Sequence, residues 1–221
     1  MALRRKGRES RTAKRARVAE VIRRLHGEYP ASRCSLKHRD PFELLAATIL
    51  SAQCTDERVN MVTPALFARF PDAEELAGAR QEEVEELVRT TGFFRNKARS
   101  LIGMAEGVAG QHGGAVPQTM EELTALPGVG RKTANVVLGN AFGLAEGIVV
   151  DTHVKRLSNR LGLTRESNPE KIEQDLIPLV EKSDWTDLPH LFIDHGRAIC
   201  KAPTPRCEAC LLTALCPSSR V

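Results

Sequence analysis

The stretch Leu126-Pro127-Gly128-Val129-Gly130-Arg131-Lys132-Thr133-Ala134 decides the fold of this chain. It predicts the end of a short helix, a glycine-containing turn and a second helix that begins directly after the turn. Gly128 and Gly130 allow positive φ angles and a close approach of the backbone to a ligand. The N–H groups at the start of the second helix, together with the helix dipole, favour an anion. The stretch therefore predicts a helical hairpin that binds a phosphate group.

Two other interpretations of the hairpin deserve comparison. A nucleotide-binding P-loop requires a glycine immediately before its lysine, but Arg131 stands there, and no strand pattern precedes the turn. A purely structural connection between two helices is the plainer alternative, and a Gly-x-Gly sequence alone would favour it.

Lys132 favours a chemical role for the hairpin. It lies in the first turn of a predicted helix, where a cation opposes the helix dipole. It also lies on the side of that helix opposite the apolar stripe Ala134/Val137/Leu138/Ala141. Residues that break a local rule in this way concentrate at functional sites, and a lysine amine can attack carbon. The alternative is a surface lysine that only pairs with phosphate.

Asp151 is the candidate acidic partner of Lys132, nineteen residues further along the chain in Val150-Asp151-Thr152-His153. The helix from Lys132 to Phe142 is roughly 15–17 Å long. The eight residues 143–150 reach about 26–29 Å when extended. The chain can therefore turn and bring Asp151 back beside Lys132. The alternative role, compatible with the first, is an N-cap for a helix that begins near Thr152.

Charge is concentrated at the N-terminus. Residues 1–24 contain ten Lys or Arg and two acidic residues, a net charge of +8, whereas the whole chain carries +4. Such a basic arm fits a phosphate-rich partner, although a solvated tail that aids solubility has the same composition. No segment has the apolar length of a membrane span or of a secretory signal. We expect no membrane association, a monomer, and a cytoplasmic location, nucleoid-associated in a bacterium.

Apolar residues recur with helical periodicity along the whole chain. Examples are the series Val18, Val21, Ile22, Leu25 and the series Phe42, Leu45, Ala46, Ile49, Leu50. No run of four or more residues alternates as a half-buried strand would. The pattern predicts an all-α fold of about ten helices. Pro64 and Pro178 are expected to bend or end their helices.

Four of the six cysteines, Cys200, Cys207, Cys210 and Cys216, form the series Cys-x6-Cys-x2-Cys-x5-Cys. Without an export signal, a metal site is a better interpretation than disulfides. Either zinc or an iron–sulfur cluster could bind four thiolates, and the single tight pair in the middle favours the cluster. Lys201 and Arg206 in the same segment offer contacts to phosphate.

These motifs together resemble the endonuclease III family of DNA glycosylases. The matching segments are LPGVGRKTANVV, VDTHVKR, His195-Gly196-Arg197, the cysteine spacing, residues 50–56 (LSAQCTD) and residues 91–97 (TGFFRNK). The similarity runs from about residue 15 to residue 217. The first fourteen residues lie outside it.

The resemblance implies two helical lobes that flank a DNA-binding cleft, the helix-hairpin-helix glycosylase fold. A six-helix barrel domain would span residues 34–144. Residues 15–33 and 145–221 would form a second domain that binds a [4Fe–4S] cluster through the four cysteines. Residues 1–14 would be a disordered basic arm. A monovalent cation at the hairpin is also implied.

The resemblance further implies the activity and the DNA contacts. The partner would be double-stranded DNA with damaged bases or abasic sites, and the expected activity removes oxidised pyrimidines. Lys132 would form a Schiff base, Asp151 would assist it, and β-elimination would cleave the strand 3′ to the site. Gln53 and Phe93 would fill or wedge the gap left by a flipped nucleotide. Gly128, Val129, Gly130, Arg131, Thr133, Lys201 and Arg206 would contact the DNA backbone.

Two departures and two alternatives accompany the resemblance. Cys54 and Phe93 stand where alanine and leucine are familiar in the family, which affects the shape of the wedge. A sister group that removes adenine opposite oxidised guanine has no lysine at position 132. A non-catalytic DNA-binding module would not need Lys132 and Asp151 together.

Overall fold

The computed structural model describes residues 9–221. These residues form eleven α-helices and no β-strand, which confirms the predicted all-α class. Short 3-10 turns occur at Arg89–Thr91, Lys182–Asp184, Cys207–Ala209 and Thr213–Leu215. Among the described residues, no helix is both long enough and apolar enough to cross a bilayer. The chain divides into two compact units.

The first unit, which we call the hairpin unit, comprises Cys34–Glu146. Its helices are α2 (Pro41–Leu50), α3 (Asp56–Arg69), α4 (Ala73–Ala77), α5 (Gln81–Val88), α6 (Phe94–His112), α7 (Met120–Ala125) and α8 (Arg131–Phe142). Asp40 caps α2 through its side chain, and Pro41 occupies the first turn, where a missing N–H costs nothing. Every residue from Phe42 to Leu50 is buried, and α2 packs against α3, α6 and α8. α2 is therefore the central helix of this unit.

The turn between α7 and α8 lies closely against α6. A Cβ atom on Gly107 would meet Leu126 Cδ2 at 2.5 Å, and one on Gly103 would meet the ring of Pro127 at 3.1 Å. Gly103 and Gly107 are four residues apart and so lie on the same face of α6. These two small residues let the helical hairpin approach the α6 backbone, which positions its glycine turn.

The second unit, which we call the cysteine-loop unit, comprises residues 9–33 and Gly147–Val221. Its helices are α1 (Arg11–Glu28), α9 (Thr152–Arg160), α10 (Pro169–Leu176) and α11 (Asp187–Ala198). The stripe of α1 predicted from the sequence is buried, together with Leu191 and Phe192 of α11. The cysteine-rich segment follows α11 directly.

Two expectations from the sequence are corrected here. The predicted disordered arm, residues 1–14, lies outside the described residues as far as residue 8. Its last part is helical, because α1 begins at Arg11 and the Ser10 side chain accepts a hydrogen bond from the Ala13 N–H. Pro64 does not end α3, which runs on to Arg69; Pro64 itself is exposed while the opposite face of α3 is buried. Packing of that face outweighs the lost backbone hydrogen bond. Pro178 lies beyond the end of α10 at Leu176.

Candidate functional site

The turn of the helical hairpin requires glycine at position 128. Gly128 has a φ of 78°, in the left-handed region that side chains disfavour. A Cβ atom there would also meet Ser100 Cβ at 2.6 Å. Ser100 lies on α6, so the turn is fixed both by its own backbone and by its close approach to the neighbouring helix.

Gly130 differs from Gly128. Its φ is −92°, so it does not use the positive angle that glycine allows, and nothing lies within 4 Å of a Cβ atom built on it. Gly130 is the N-cap of α8, and no side chain caps this helix end. Seven other helices of the chain, including α7 and α9, have a capping side chain. The start of α8 therefore presents backbone N–H groups with open space before them.

The neighbours of Gly130 contribute in different ways. Val129 has a buried side chain, and its N–H donates to the Leu126 carbonyl within the turn. Its own carbonyl is therefore the group that could reach a ligand. Arg131 and Lys132 are exposed at the start of α8, and Thr133 is half-buried. Positive side chains thus stand beside the uncapped end of the helix.

Asn135 lies one helical turn after Lys132, at a spacing that makes the two residues neighbours on the helix surface. It is 4% exposed, and its side-chain Oδ1 has no hydrogen-bond partner among the described residues. A buried acceptor without a partner is uncommon in folded proteins. The sequence analysis did not select this residue, although an asparagine between Ala134 and Val137 interrupts the apolar stripe of α8.

Asp151 is the N-cap of α9, as the alternative interpretation predicted. Its Oδ1 accepts a hydrogen bond of 2.7 Å from the Val154 N–H, which fixes the half-buried carboxylate. Burial lowers the pKa of the neighbouring His153 below its ordinary value, although the charge of Asp151 acts in the opposite direction. Lys132 belongs to the hairpin unit and Asp151 to the cysteine-loop unit, so their pairing stays a prediction.

Arginines of α9 connect the helix that carries Asp151 to the cysteine-rich segment. The Arg156 guanidinium donates to the Cys200 carbonyl at 3.1 Å and to the Gly196 carbonyl at 3.2 Å. Arg160 donates to the Lys201 carbonyl at 2.8 Å and to Cys200 Sγ at 3.2 Å. A Cβ atom on Gly196 would meet His153 Nδ1 at 2.6 Å. The glycine of His195-Gly196-Arg197 thus allows α9 and α11 to approach each other.

The four cysteines of the predicted metal site line one cavity of about 30 Å³. Turns at Cys207–Ala209 and Thr213–Leu215 shape this loop, and the Thr213 hydroxyl lies 2.7 Å from the Cys207 carbonyl. Burial raises the pKa of the Cys210 and Cys216 thiols, and the neighbouring cysteines add to the effect. Among the described residues, no group of three or more His, Cys, Asp or Glu is arranged to hold a single metal ion. The four thiols line one cavity and so are available together as ligands.

His195 connects one of these thiols to α1 by a chain of hydrogen bonds. Its Nε2 lies 3.4 Å from Cys210 Sγ, and its Nδ1 lies 3.1 Å from the Tyr29 hydroxyl. Burial lowers the pKa of His195 to about 4, so the ring is neutral at pH 7. If Cys210 is a thiolate, the only consistent arrangement has Nε2–H donating to sulfur and the Tyr29 hydroxyl donating to Nδ1.

The two other predicted contacts of the cysteine loop are both exposed. Lys201 extends from the segment that Arg160 holds. The Arg206 guanidinium donates to the Ala198 carbonyl at 2.6 Å, which ties its side chain to the end of α11. Lys201 therefore has the greater freedom to meet a ligand.

Gln53 and Phe93, predicted to fill or wedge a gap in DNA, lie on two turns of the hairpin unit. Both side chains are exposed, and Phe93 retains 64% of its accessible surface, which is unusual for a large apolar residue. Phe93 follows Gly92 and immediately precedes α6, whereas Gln53 lies between α2 and α3.

The chain is similar in sequence to known DNA repair proteins. A family model described as the HhH-GPD superfamily of base excision DNA repair proteins matches residues 46–182. The endonuclease III of Synechocystis sp. is 54% identical over 208 residues, which cover 94% of this chain and 95% of that protein.

The fold is also similar to solved structures of endonuclease III proteins bound to DNA. A non-covalent complex of an endonuclease III with DNA superimposes with a TM-score of 0.86 at 40% identity, covering 93% of this chain and 96% of that one. A trapped covalent intermediate of an endonuclease III with DNA gives the same TM-score, identity and coverage.

Proposed function

Because this chain belongs to the HhH-GPD superfamily of base excision DNA repair proteins, and within it to the endonuclease III family, we propose that Lys132 and Asp151 carry out its chemistry. The predicted resemblance and the helix-hairpin-helix glycosylase fold are thereby confirmed. The protein is a DNA glycosylase and AP lyase of base excision repair, and its partner is DNA. Its proposed substrates are oxidised pyrimidines in duplex DNA.

The observation that carries the residue assignment is the position of Lys132 in the first turn of α8. This helix begins at a glycine, has no capping side chain and starts beside open space. Backbone N–H groups at such a helix end favour a DNA phosphate, with Arg131 as an additional cation. With the backbone bound there, the exposed Lys132 amine in the same helical turn would face the sugars of that strand.

The first chemical step is attack of the Lys132 amine on C1′ of the damaged nucleotide. The bond between C1′ and the base breaks, and its electron pair leaves with the base, which takes up a proton. The covalent sugar adduct then opens its ring by breaking the C1′–O4′ bond and becomes a Schiff base. This step requires Lys132 in its neutral form, because an ammonium has no electron pair to donate.

Asp151 supports that step through its charge. Its carboxylate is held in one orientation by the Val154 N–H, so it is available without a conformational search. It assists removal of a proton from the Lys132 amine and stabilises the positive charge that develops on the sugar. Capping and catalysis are compatible because a carboxylate has two oxygens.

Strand cleavage follows from the Schiff base. Loss of a proton from C2′ forms a C1′–C2′ enamine, and expulsion of the 3′ phosphate breaks the C3′–O3′ bond. The conjugated imine that remains is hydrolysed by water, which regenerates the Lys132 amine. The strand is thus cut on the 3′ side of the abasic site.

Access to C1′ requires the damaged nucleotide to leave the base stack. We assign this work to Gln53 and Phe93, whose exposed side chains can occupy the space left in the duplex. An apolar ring such as that of Phe93 is suited to insertion between base steps.

The four cysteine thiolates fit a [4Fe–4S] cluster, since all four line one cavity. Bound there, the cluster would cross-link the loop and contribute folding free energy. Arg160 and His195 would donate hydrogen bonds to the sulfurs of Cys200 and Cys210, which offsets part of the negative charge. Arg156 and Arg160 would keep this loop in register with α9.

The decisive experiment is borohydride trapping with the variant Lys132→Arg. Arginine keeps the positive charge for phosphate binding, but its guanidinium does not form a Schiff base under these conditions. We expect no covalent complex with a duplex that contains an abasic site. Binding to a duplex with a non-cleavable abasic analogue should stay within about threefold of the wild type, because the charge is retained.

Two results would contradict the assignment. A covalent band of undiminished intensity from Lys132→Arg would mean that another amine is the nucleophile. Loss of binding as severe as the loss of trapping would mean that Lys132 acts only as a phosphate contact.

A further inference from the structure

Backbone strain in this protein coincides with the two residues assigned to probing DNA. In the described part of the chain, the non-glycine residues with positive φ are Gln53, at 52°, and Phe93, at 48°. Such a backbone conformation is unfavourable for a residue with a side chain and persists only where surrounding contacts enforce it. The contacts that stabilise these two turns therefore also hold the Gln53 and Phe93 side chains in their exposed positions.

Lys97 holds the turn of Phe93 from both sides. Its backbone N–H donates to the Phe93 carbonyl at 3.1 Å, and its Nζ donates to the Thr91 carbonyl at 2.7 Å. The Thr91 hydroxyl in turn donates to the Val88 carbonyl at 2.8 Å. Any residue at position 97 would supply the backbone bond, so the side-chain bond to Thr91, two residues before the left-handed position, is the contact specific to lysine.

Burial of the Lys97 ammonium on the inner face of α6 is energetically unfavourable. Lys97 is 5% exposed, and the ion pairs of the described residues give it no carboxylate partner. Burial lowers the pKa of its ammonium below the ordinary value, while the Cys54 thiol acts in the opposite direction.

A residue selected only for stability would be different at this position. Lys97 shares one face of α6 with Leu101, Met104, Ala105 and Val108, all buried. An apolar side chain of similar length would fill the same space without the cost of burying a charge. The presence of an amine at this buried position is therefore best explained by the turn that it contacts through the Thr91 carbonyl.

We propose that Lys97 is a positioning residue for lesion recognition, which holds the Phe93 turn in the strained form that inserts into DNA. This proposal rests on the assignment of Gln53 and Phe93 in the proposed function. Lys97 itself touches no DNA. Lys97 keeps the Phe93 turn in the inserting conformation in the free protein. Binding to the duplex therefore requires no ordering of this turn.

The test compares Lys97→Met with Lys171→Met, a matched loss of one lysine at an exposed position on α10. Two substrates separate the roles. The first is a duplex with one oxidised pyrimidine, which must be opened by the wedge. The second is a single-stranded oligonucleotide with an abasic site, which has no base pair to open and needs only the Lys132 chemistry.

For Lys97→Met we expect kcat/KM on the damaged duplex to fall by at least about tenfold, or 1.4 kcal/mol. Borohydride trapping on the single-stranded abasic site should change by less than about twofold, within ordinary mutational noise. Lys171→Met should resemble the wild type on both. Equal losses on the two substrates, or no loss on either, would overturn the proposal. If the wild type forms no trapped complex, the proposed function fails instead.

A fluorescence measurement and a double-mutant cycle complete the design. With 2-aminopurine opposite the lesion, the wild type should raise the fluorescence as that base unstacks, and Lys97→Met should not. In a Phe93→Ala background, Lys97→Met should cost less than about twofold, because the two residues act through one wedge. Full additivity would overturn the proposal. If Lys97→Met does not fold, Lys97→Gln is judged by the same two-substrate ratio.

Discussion

The glycine turn of the hairpin offers a paired test, because its two glycines exist for different physical reasons. Gly128→Ala forces a side chain into a left-handed backbone, which costs about 1–2 kcal/mol. Its Cβ atom would also overlap Ser100 at 2.6 Å, and such overpacking costs about 1–3 kcal/mol. We expect a total of about 2–5 kcal/mol, which lowers Tm by roughly 4–20 °C.

Gly130→Ala should behave in the opposite way. Its backbone is already in a region open to any residue, and nothing lies within 4 Å of the added carbon. We expect stability to change by less than about 1 kcal/mol, since the reduced entropy of the unfolded chain offsets the weaker N-cap. The methyl group would, however, stand where a phosphate must approach the N–H groups of α8. Loss of one hydrogen bond to a charged group, about 1.5–3 kcal/mol, weakens binding roughly 10–150-fold.

The assay is fluorescence anisotropy on a duplex with a non-cleavable abasic analogue at several salt concentrations, with thermal unfolding measured in parallel. Because the lost contact is a neutral backbone N–H and not a cation, Gly130→Ala should weaken binding at every salt concentration while the slope of log K against log salt stays unchanged. A Gly130→Ala protein that binds as tightly as the wild type would refute the phosphate cradle. A Gly128→Ala protein of unchanged Tm would refute the steric argument.

Three further predictions concern the other unit. Asp151→Asn should retain the N-cap and unfold within about 0.5 kcal/mol of the wild type, yet trap DNA about 10²–10⁴-fold more slowly; equal trapping rates would exclude a role for the charge. Cys207→Ser should lose bound iron and visible absorbance, whereas Cys34→Ser, in the hairpin unit, should keep both; iron in equal amounts in the two proteins would contradict the ligand set. Glu9 has its pKa lowered mainly by a hydrogen bond from Arg17, so its stabilisation is present above pH 4.5 and disappears as pH falls through the lowered folded value. Glu9→Gln should therefore reduce Tm slightly at pH 7 and not at about pH 2; a constant difference would contradict the linkage.

Local patterns in the sequence were reliable where the decisive contact is short-range. The hairpin follows from a proline and two glycines between apolar helical stripes, and α7 and α8 flank the turn as predicted. Asp151 caps α9 because its carboxylate reaches an N–H only three residues away. Both interactions form within a few residues, so a linear pattern contains the information.

Local patterns were less informative about features that depend on packing between residues far apart in the chain. Pro64 was expected to bend or end its helix; it does not end α3, because burial of the opposite face stabilises the helix on both sides of the proline. Both glycines of the turn allow a positive φ angle, yet only Gly128 has one and lies against Ser100 on α6. Lys97 was quoted within a motif but not selected, although a lysine at the buried spacing of Leu101 and Met104 was a readable signal.

Residue type and spacing alone predicted the all-α class, the hairpin and the family, and all three are confirmed. Only the tertiary structure decided which glycine is sterically required, which lysine is buried, and that four thiols surround one cavity. The physical reason is that burial and close approach depend on residues far apart in the chain. Their cost or benefit exists only once the helices have packed.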